Sequence, residues 1–416
     1  MQRSLLPVLA ASVALFFSAL TLFGLHWSFN QPYSGVGFWH GMLFFFACSL
    51  AIAALLLLIG WLVNFSRETW FKSIAAFFSL AIILFMAEMV LRVAGINRAY
   101  IETRDNCYRS PYVASDTNVL WRYRPNSSRT LSSADYQFPR QYNSYGFDDA
   151  EFVAKTDTSD VLIQTYGDSF TEGDGAPSDS SYPAILRALT AGRGVQIQNF
   201  GVCGNDPVFC LKQLQELGSK FYPDYAVMTY STGDMDVDMF VRKGLNRFKD
   251  GHWEGYHGPN WEWLYAESYV FRLVCKAFTK LEYDNFFLKG SEKRARFRDL
   301  ELQWSQTFKL LNEVAASKGV KVLLVKKPEH AELDANKYNY DLSFFENQLD
   351  SLPQLKMFDL MPYYHDSLGV NKSNSRNYYW PHDPHHNSAG YVIMAKGVYA
   401  GLMKYYPRSV SNRGAN

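Results

Sequence analysis

Apolar residues run almost unbroken along the first quarter of the chain, then break near position 160 into short blocks separated by polar turns. Three N-terminal stretches, 5–25, 38–63 and 74–94, each approach or exceed the roughly 20 residues that a helix needs to cross a bilayer. They predict a transmembrane region over residues 1–95. A cleaved signal peptide fits the first stretch less well, because no small-residue cleavage site follows it and two further spans do. Residues 96–159 form a mixed lead-in rich in Tyr, Arg and Ser. From Asp160 onward the pattern is regular. β-Branched, apolar runs predict buried strands at Val161–Tyr166, Val195–Phe200, Ala226–Tyr230, Val320–Val325 and Lys356–Leu360. Helical periodicity lies between and after them at Ser181–Ala191, Val208–Leu217, Glu292–Ser317 and Ala389–Met403, with Gly319 placed to end the long one. Alternation of this kind predicts an α/β unit over residues 160–416 with a parallel sheet covered on both faces.

Charge sharpens the first part of this picture and empties one class of function. Across 416 residues the formal net charge is +1, without the basic stripe of a nucleic-acid binder. Between Arg3 and Arg67 there is no Asp, Glu, Lys or Arg, which no water-facing surface would sustain. Arg3 precedes the first span, and Arg67 and Lys72 lie in the second connection. Positive charge retained inside then leaves the chain after Ala94 outside, against a mild opposing pull from Arg98 and Arg104. Glu88 and Arg92, four apart, are placed to pair on one helix face. Cys48 lies in a span. The remaining Cys107, Cys203, Cys210 and Cys275 permit three disulfide pairings, a local Cys203–Cys210 bridge among them, or remain thiols.

Candidate chemistry gathers where strands end. IQTYGDSFTEGDG, Ile163–Gly175, breaks a buried strand into Gly-Asp-Ser, placing Ser169 at the carboxyl edge of a parallel sheet, where function collects in such folds. NFGVCGND, Asn199–Asp206, follows the second strand, and YSTGDMD, Tyr230–Asp236, the third. WPHDPHHNSAGY, Trp380–Tyr391, carries His382, Asp383, His385 and His386 before the last helix. A serine hydroxyl needs a base to become a nucleophile, histidine has the suitable pKa, and a carboxylate fixes its tautomer. The His/Asp cluster also reads as metal-binding, but its spacing is not the helical i, i+4 pair of zinc proteases. The aromatic stretch Asp250–Tyr265 reads as a packed loop or as a platform for sugar rings or acyl chains.

In these four segments, and in their order, the chain resembles the SGNH (GDSL-type) hydrolase superfamily. YNSYGFDDAEF, Tyr142–Phe152, is similar to the lead-in of membrane-anchored bacterial members. The resemblance implies a flavodoxin-like three-layer α/β/α domain with Ser169 as nucleophile and Asp383 as the partner of the base. The His-x-Asn-x-x-Gly spacing selects His385 as that base, while a three-residue count from Asp383 selects His386. Backbone N–H groups of Ser169 and Gly204 would form the oxyanion hole, with no metal and no cofactor. Neither register of Ser231–Asp236 supplies the family's oxyanion asparagine, which leaves Asn205 as a substitute or backbone donors alone. The expected activity is that of an esterase or O-acyltransferase on acyl esters, O-acetyl groups above all, of cell-envelope glycans. Its expected place is the bacterial inner membrane, multi-pass, with the C-terminal domain outside. A transferase drawing on a cytoplasmic donor would call for a polytopic acyltransferase partner. The competing expectation is a catalytically degenerate module that binds glycan or helps assemble the envelope.

Overall fold

The structure is a computed structural model that describes residues 11–19, 38–94, 122–155, 160–235, 244–249, 252–253, 268–279 and 290–410. Two compact units share the chain, one built from residues 1–110 and 257–291, the other from 111–256 and 292–416.

In the first unit, helix α1 (Phe38–Leu62) turns at Asn64, whose φ of 58° is left-handed, into helix α2 (Arg67–Val93). Ser66 caps α2 by accepting the Thr69 N–H at 3.1 Å. With 27 residues, α2 is about 40 Å long at 1.5 Å per residue. It is long and apolar enough to cross a membrane, and Phe71, Ile83 and Val93 are 75, 63 and 83% exposed. Apolar side chains presented so widely are solvated well by lipid and poorly by water.

Three spans were expected, and among the described residues one helix meets the requirement. The second stretch is helical as α1, but its described side chains give only the shorter apolar run Phe46–Leu62. The first stretch, 5–25, lies outside the described residues except for 11–19, which are helical. The third begins at Arg67 rather than 74. Its charged first turn stays helical, capped by Ser66 and carrying a Glu68–Lys72 pair at 2.7 Å.

Glu88 and Arg92 do pair, at 2.8 Å, and the carboxylate does more than that. It accepts the backbone N–H groups of Tyr269 (3.0 Å) and Val270 (2.9 Å) and the Ser268 hydroxyl (3.0 Å). These are the first donors of helix α5 (Tyr269–Thr279), which have no partners within the helix. A negative charge at a helix N-terminus is favourable. A segment inserted between strands of the second unit is thereby fastened to α2.

The second unit opens with an antiparallel hairpin, β1 (Ser128–Ser132) and β2 (Gln137–Gln141). Five parallel strands follow: β3 (Val161–Tyr166), β4 (Val195–Asn199), β5 (Tyr225–Tyr230), β6 (Lys321–Lys326) and β7 (Leu355–Asp359), in spatial order β4-β3-β5-β6-β7. Every residue of β3 is buried, the polar Gln164 and Thr165 included, so both sheet faces are covered. Val161, Ile163, Val227, Leu323 and Val325 meet Tyr182 and Leu186 of α3 (Tyr182–Leu189) and Met394, Val398 and Leu402 of α7 (Ser388–Tyr405) in one core. On the opposite face Tyr230 packs edge-on to Trp304 (5.9 Å) and Phe308 (6.0 Å) of α6 (Gly290–Lys318), with α4 (Pro207–Glu216) on the same unit. The helix ends where Gly319, at φ 70°, turns back and the Val320 N–H reaches the Ala315 carbonyl at 2.8 Å. Because β3 lies between β4 and β5, the chain leaves it in opposite directions. The crevice at its carboxyl end is the switch point where open α/β sheets bind ligands.

Candidate active site

Ser169 stands two residues beyond Gly167 at that crevice, on a single helical turn, Ser169–Glu172. Asp168 caps the turn by accepting the Phe170 N–H at 3.0 Å. As the first residue of the turn, Ser169 has a backbone N–H with no partner inside it. The loop after β4 is drawn against this turn. Phe200 N–H reaches the Thr165 carbonyl (2.8 Å) and Val202 N–H the Gly167 carbonyl (3.1 Å). Contact is so close that a Cβ on Gly201 would lie 2.2 Å from the Glu172 nitrogen. Glu172, fully buried, accepts the Cys203 N–H (2.8 Å) and the Tyr123 hydroxyl (2.6 Å). Gly204, at φ 71°, closes the same loop at the same edge. Cys203 and Cys210 are not joined by a disulfide.

His385 arrives from the far end of the sequence. Its Nε2 is 2.7 Å from Ser169 Oγ, and its Nδ1 is 2.6 Å from Asp383 Oδ1. The carboxylate oxygen also accepts the His385 backbone N–H at 3.0 Å. Since a carboxylate can only accept, the network assigns the imidazole proton to Nδ1 and leaves the Nε2 lone pair toward the serine hydroxyl. Burial works against charge on His385. The Asp383 hydrogen bond and the charges of Asp174, Asp383 and Asp168 outweigh it and raise the pKa above the ordinary histidine value. Burial likewise opposes ionisation of Asp383, and its hydrogen bond to His385 overrides that and lowers its pKa.

The loop is held by the β1–β2 hairpin. Asp135 accepts the backbone N–H groups of His382 and Asp383, each at 2.8 Å, and pairs with the His382 ring at 2.8 Å. Tyr136 donates its hydroxyl to the second oxygen of Asp383 at 3.2 Å. Trp380 donates to the Gly175 carbonyl (2.7 Å) and Tyr391 to the Asp174 carbonyl (2.6 Å), tying this loop to the one that follows Ser169. Nothing in the local sequence around Asp135 marks it for this task; its partners lie nearly 250 residues away.

His386 occupies a different environment. It is buried against Tyr379 (4.3 Å), Tyr391 (5.5 Å) and Phe170 (5.3 Å), and its Nδ1 is 3.0 Å from the Tyr378 carbonyl. Gly390 permits this packing: a Cβ there would be 2.4 Å from His386 Nδ1. Burial lowers the His386 pKa from 6.5 to about 3, which makes it a neutral structural residue. Above pH 6.5 neither folded nor unfolded chain protonates this ring. Below that, the unfolded chain takes a proton the folded one refuses, so stability falls by about 1.4 kcal/mol per pH unit until the folded pKa is reached. Chemical denaturation between pH 7 and 4 measures that slope, and His386→Asn, which keeps a donor near Nδ1, should flatten it.

Of the four residues read as a metal cluster, His382 turns to Asp135, His385 to Ser169 and His386 to a carbonyl, so they do not converge on one point. The substitute donor Asn205 is also committed elsewhere, its amide donating to Gln213 Oε1 at 2.9 Å and to Cys210 Sγ at 3.6 Å. Asp236 and nearly all of Asp250–Tyr265 lie outside the described residues; 252–253 pair with 248–249 as a two-stranded ribbon.

The described residues thus combine a five-stranded parallel sheet with a serine, a histidine and an aspartate in contact at its carboxyl edge. Solved structures similar to the chain include a two-domain esterase active on acetylated mannans (13% identity, TM-score 0.35, covering 59% of this chain and 48% of that one). Others are a lipase/acylhydrolase from Enterococcus faecalis (12%, TM-score 0.35, 61% and 100%) and the psychrotrophic esterase EstA from Pseudoalteromonas sp. (12%, TM-score 0.34, 60% and 100%). The chain thus spans about half the length of the two-domain esterase. No protein-family model and no curated protein sequence matches it.

Proposed function

We propose that the protein is a membrane-tethered serine esterase or O-acyltransferase that works outside the cytoplasm on acyl esters, O-acetyl groups of envelope glycans above all. One observation carries this reading: the 2.7 Å and 2.6 Å contacts that join Ser169, His385 and Asp383. His385 takes the Ser169 proton on Nε2 as Oγ bonds to the ester carbon, and the carbonyl electrons move onto oxygen. Backbone N–H groups of Ser169 and Gly204 receive that charge. Collapse breaks the bond to the leaving alcohol, which takes the proton from His385 and departs, leaving acyl-Ser169. Water or a sugar hydroxyl then gives its proton to His385 and attacks the acyl carbon; the bond to Ser169 Oγ breaks as His385 returns the proton to that oxygen, releasing acid or a new ester and restoring the serine.

Esterase and transferase share the first half of this sequence and part at the second. Full-length protein in detergent micelles, given an acetyl ester with and without candidate glycans, tests both. Free acetate without a glycan product supports the esterase, acetylated glycan supports the transferase, and no turnover contradicts both. Sidedness is tested separately by a reporter active only outside the cytoplasm, fused after Asn416. An active fusion supports the proposed orientation and a silent one defeats it.

A specific feature favours the second reading, a binding module without turnover. Among the described residues no side-chain amide lies within 4 Å of the place a Gly233 Cβ would take; the atoms near it there are Ser231 Oγ (3.4 Å) and Glu329 Oε1 (3.8 Å). Losing one oxyanion donor costs about 100- to 1000-fold in rate. Saturable binding of an acetylated glycan with no product would select this reading.

A further inference from the structure

We propose that Lys327 is a positioning residue of this reaction: it neutralises Asp168 and Glu329 beside the nucleophile, so that the developing oxyanion does not meet two bare carboxylates. The inference rests on the serine-hydrolase reading and extends it to a residue that no motif contains.

Lys327 is the first residue beyond β6, at the same carboxyl edge as Ser169, and its N–H continues the sheet by donating to the Tyr230 carbonyl at 2.9 Å. Its side chain is 3% exposed, with Nζ 3.2 Å from Asp168 Oδ2 and 2.9 Å from Glu329 Oε1. The same ammonium lies 3.9 Å from the centroid of the Phe170 ring. It therefore touches the residues immediately before and after the nucleophile. Through Asp168, whose other oxygen caps the turn, it fixes the direction of the Ser169 N–H.

Burying an ammonium with its carboxylates is costly, and apolar replacement of such groups is often neutral or stabilising. Fold stability is thus a weak reason for the cluster, and its location is a better one. Glu329 Oε1 lies 3.8 Å from where a Gly233 Cβ would be, beside the loop after β5. A carboxylate there repels an oxyanion unless it is compensated. Around Lys327 stand Asp168 from the nucleophile turn, Glu329 from its own loop and Asp234 from beyond β5, while Tyr364 and His386 complete its surroundings. Around His385 stand Asp383, Asp174, Asp168 and Glu329. Burial opposes the charge on Lys327, but the three carboxylates hold its pKa above the ordinary lysine value, so it remains a cation at all working pH.

Removing that cation leaves Asp168 and Glu329 uncompensated toward His385, which stabilises the imidazolium. The base must be neutral to act, so the acid limb of the pH–rate profile moves up. In p-nitrophenyl acetate hydrolysis by the full chain in micelles, Lys327→Met should lower kcat about 100-fold. It should also raise the acid limb by about one pH unit. Lys327→Arg should keep the wild-type limb. Glu329→Gln, which removes a carboxylate without creating an unpaired cation, should move the limb down, and it reports even if Lys327→Met does not fold. A folded Lys327→Met with wild-type turnover and limb, or a Glu329→Gln limb that stays in place, overturns the assignment. Wild type that hydrolyses no ester overturns the serine-hydrolase reading, and this assignment with it.

Discussion

Under the proposed mechanism, replacing Ser169 by alanine should lower ester turnover by about a million-fold while leaving the fold intact. The size follows from what is lost. Without Oγ no acyl-enzyme forms, and His385 has no hydroxyl at 2.7 Å to deprotonate. What remains is water attack assisted by backbone donors, worth about a thousandfold over solution. His385→Ala should cost about as much, because nucleophile and base act as one unit and their losses do not add. His386→Ala should leave the catalytic contacts in place, since its ring bonds a carbonyl rather than the serine. Its effect should appear in denaturation, where a buried ring packed among tyrosines is lost, rather than in kcat. Steady-state kinetics of the three variants beside their denaturation curves separates the roles. Equal losses at both histidines would refute the assignment of the base.

Asp383→Asn has the second-largest effect, about 10⁴-fold on kcat. In the proposed mechanism the carboxylate, 2.6 Å from His385 Nδ1, fixes the imidazole proton there and stabilises the imidazolium formed when Ser169 attacks. An amide can present its NH₂ to Nδ1 instead, which shifts the proton to Nε2 and turns that nitrogen from acceptor to donor toward Ser169. Much of the geometry would survive, because the Asp135 contacts to the loop backbone do not involve the Asp383 side chain. The acid limb gives the second readout. Asp383 helps raise the His385 pKa in wild type, so the variant's limb should move to lower pH as its rate falls. A fall in rate with no movement of the limb would mean that Asp383 merely packs the loop.

Much of the architecture was legible because the sheet is buried on both faces. Val161–Tyr166 has no water-facing residue, and its mostly apolar, β-branched sequence reads directly as a strand. The other strands and the helices fell within a few residues of their expected ends for the same reason. Ser169 and the His385 loop were legible because short motifs constrain them chemically: Gly390, for instance, must lack a side chain for His386 to pack. The support around them was not. Asp135, Tyr136 and Lys327 act through contacts with residues distant in sequence, which periodicity and spacing do not encode. Lys327 left one trace, a second lysine at the end of a buried strand. The N-terminal reading erred differently. Hydropathy registers apolar length, so it could not tell that the last helix begins at Arg67 within a charged turn, or that Glu88 would cap a helix from 180 residues away.

The most direct test of the central claim is covalent. Full-length protein treated with a fluorophosphonate, digested and mapped by mass spectrometry, should carry one adduct, on Ser169, and it should vanish when the protein is denatured beforehand. An adduct on another serine, or none on folded protein, would contradict the account.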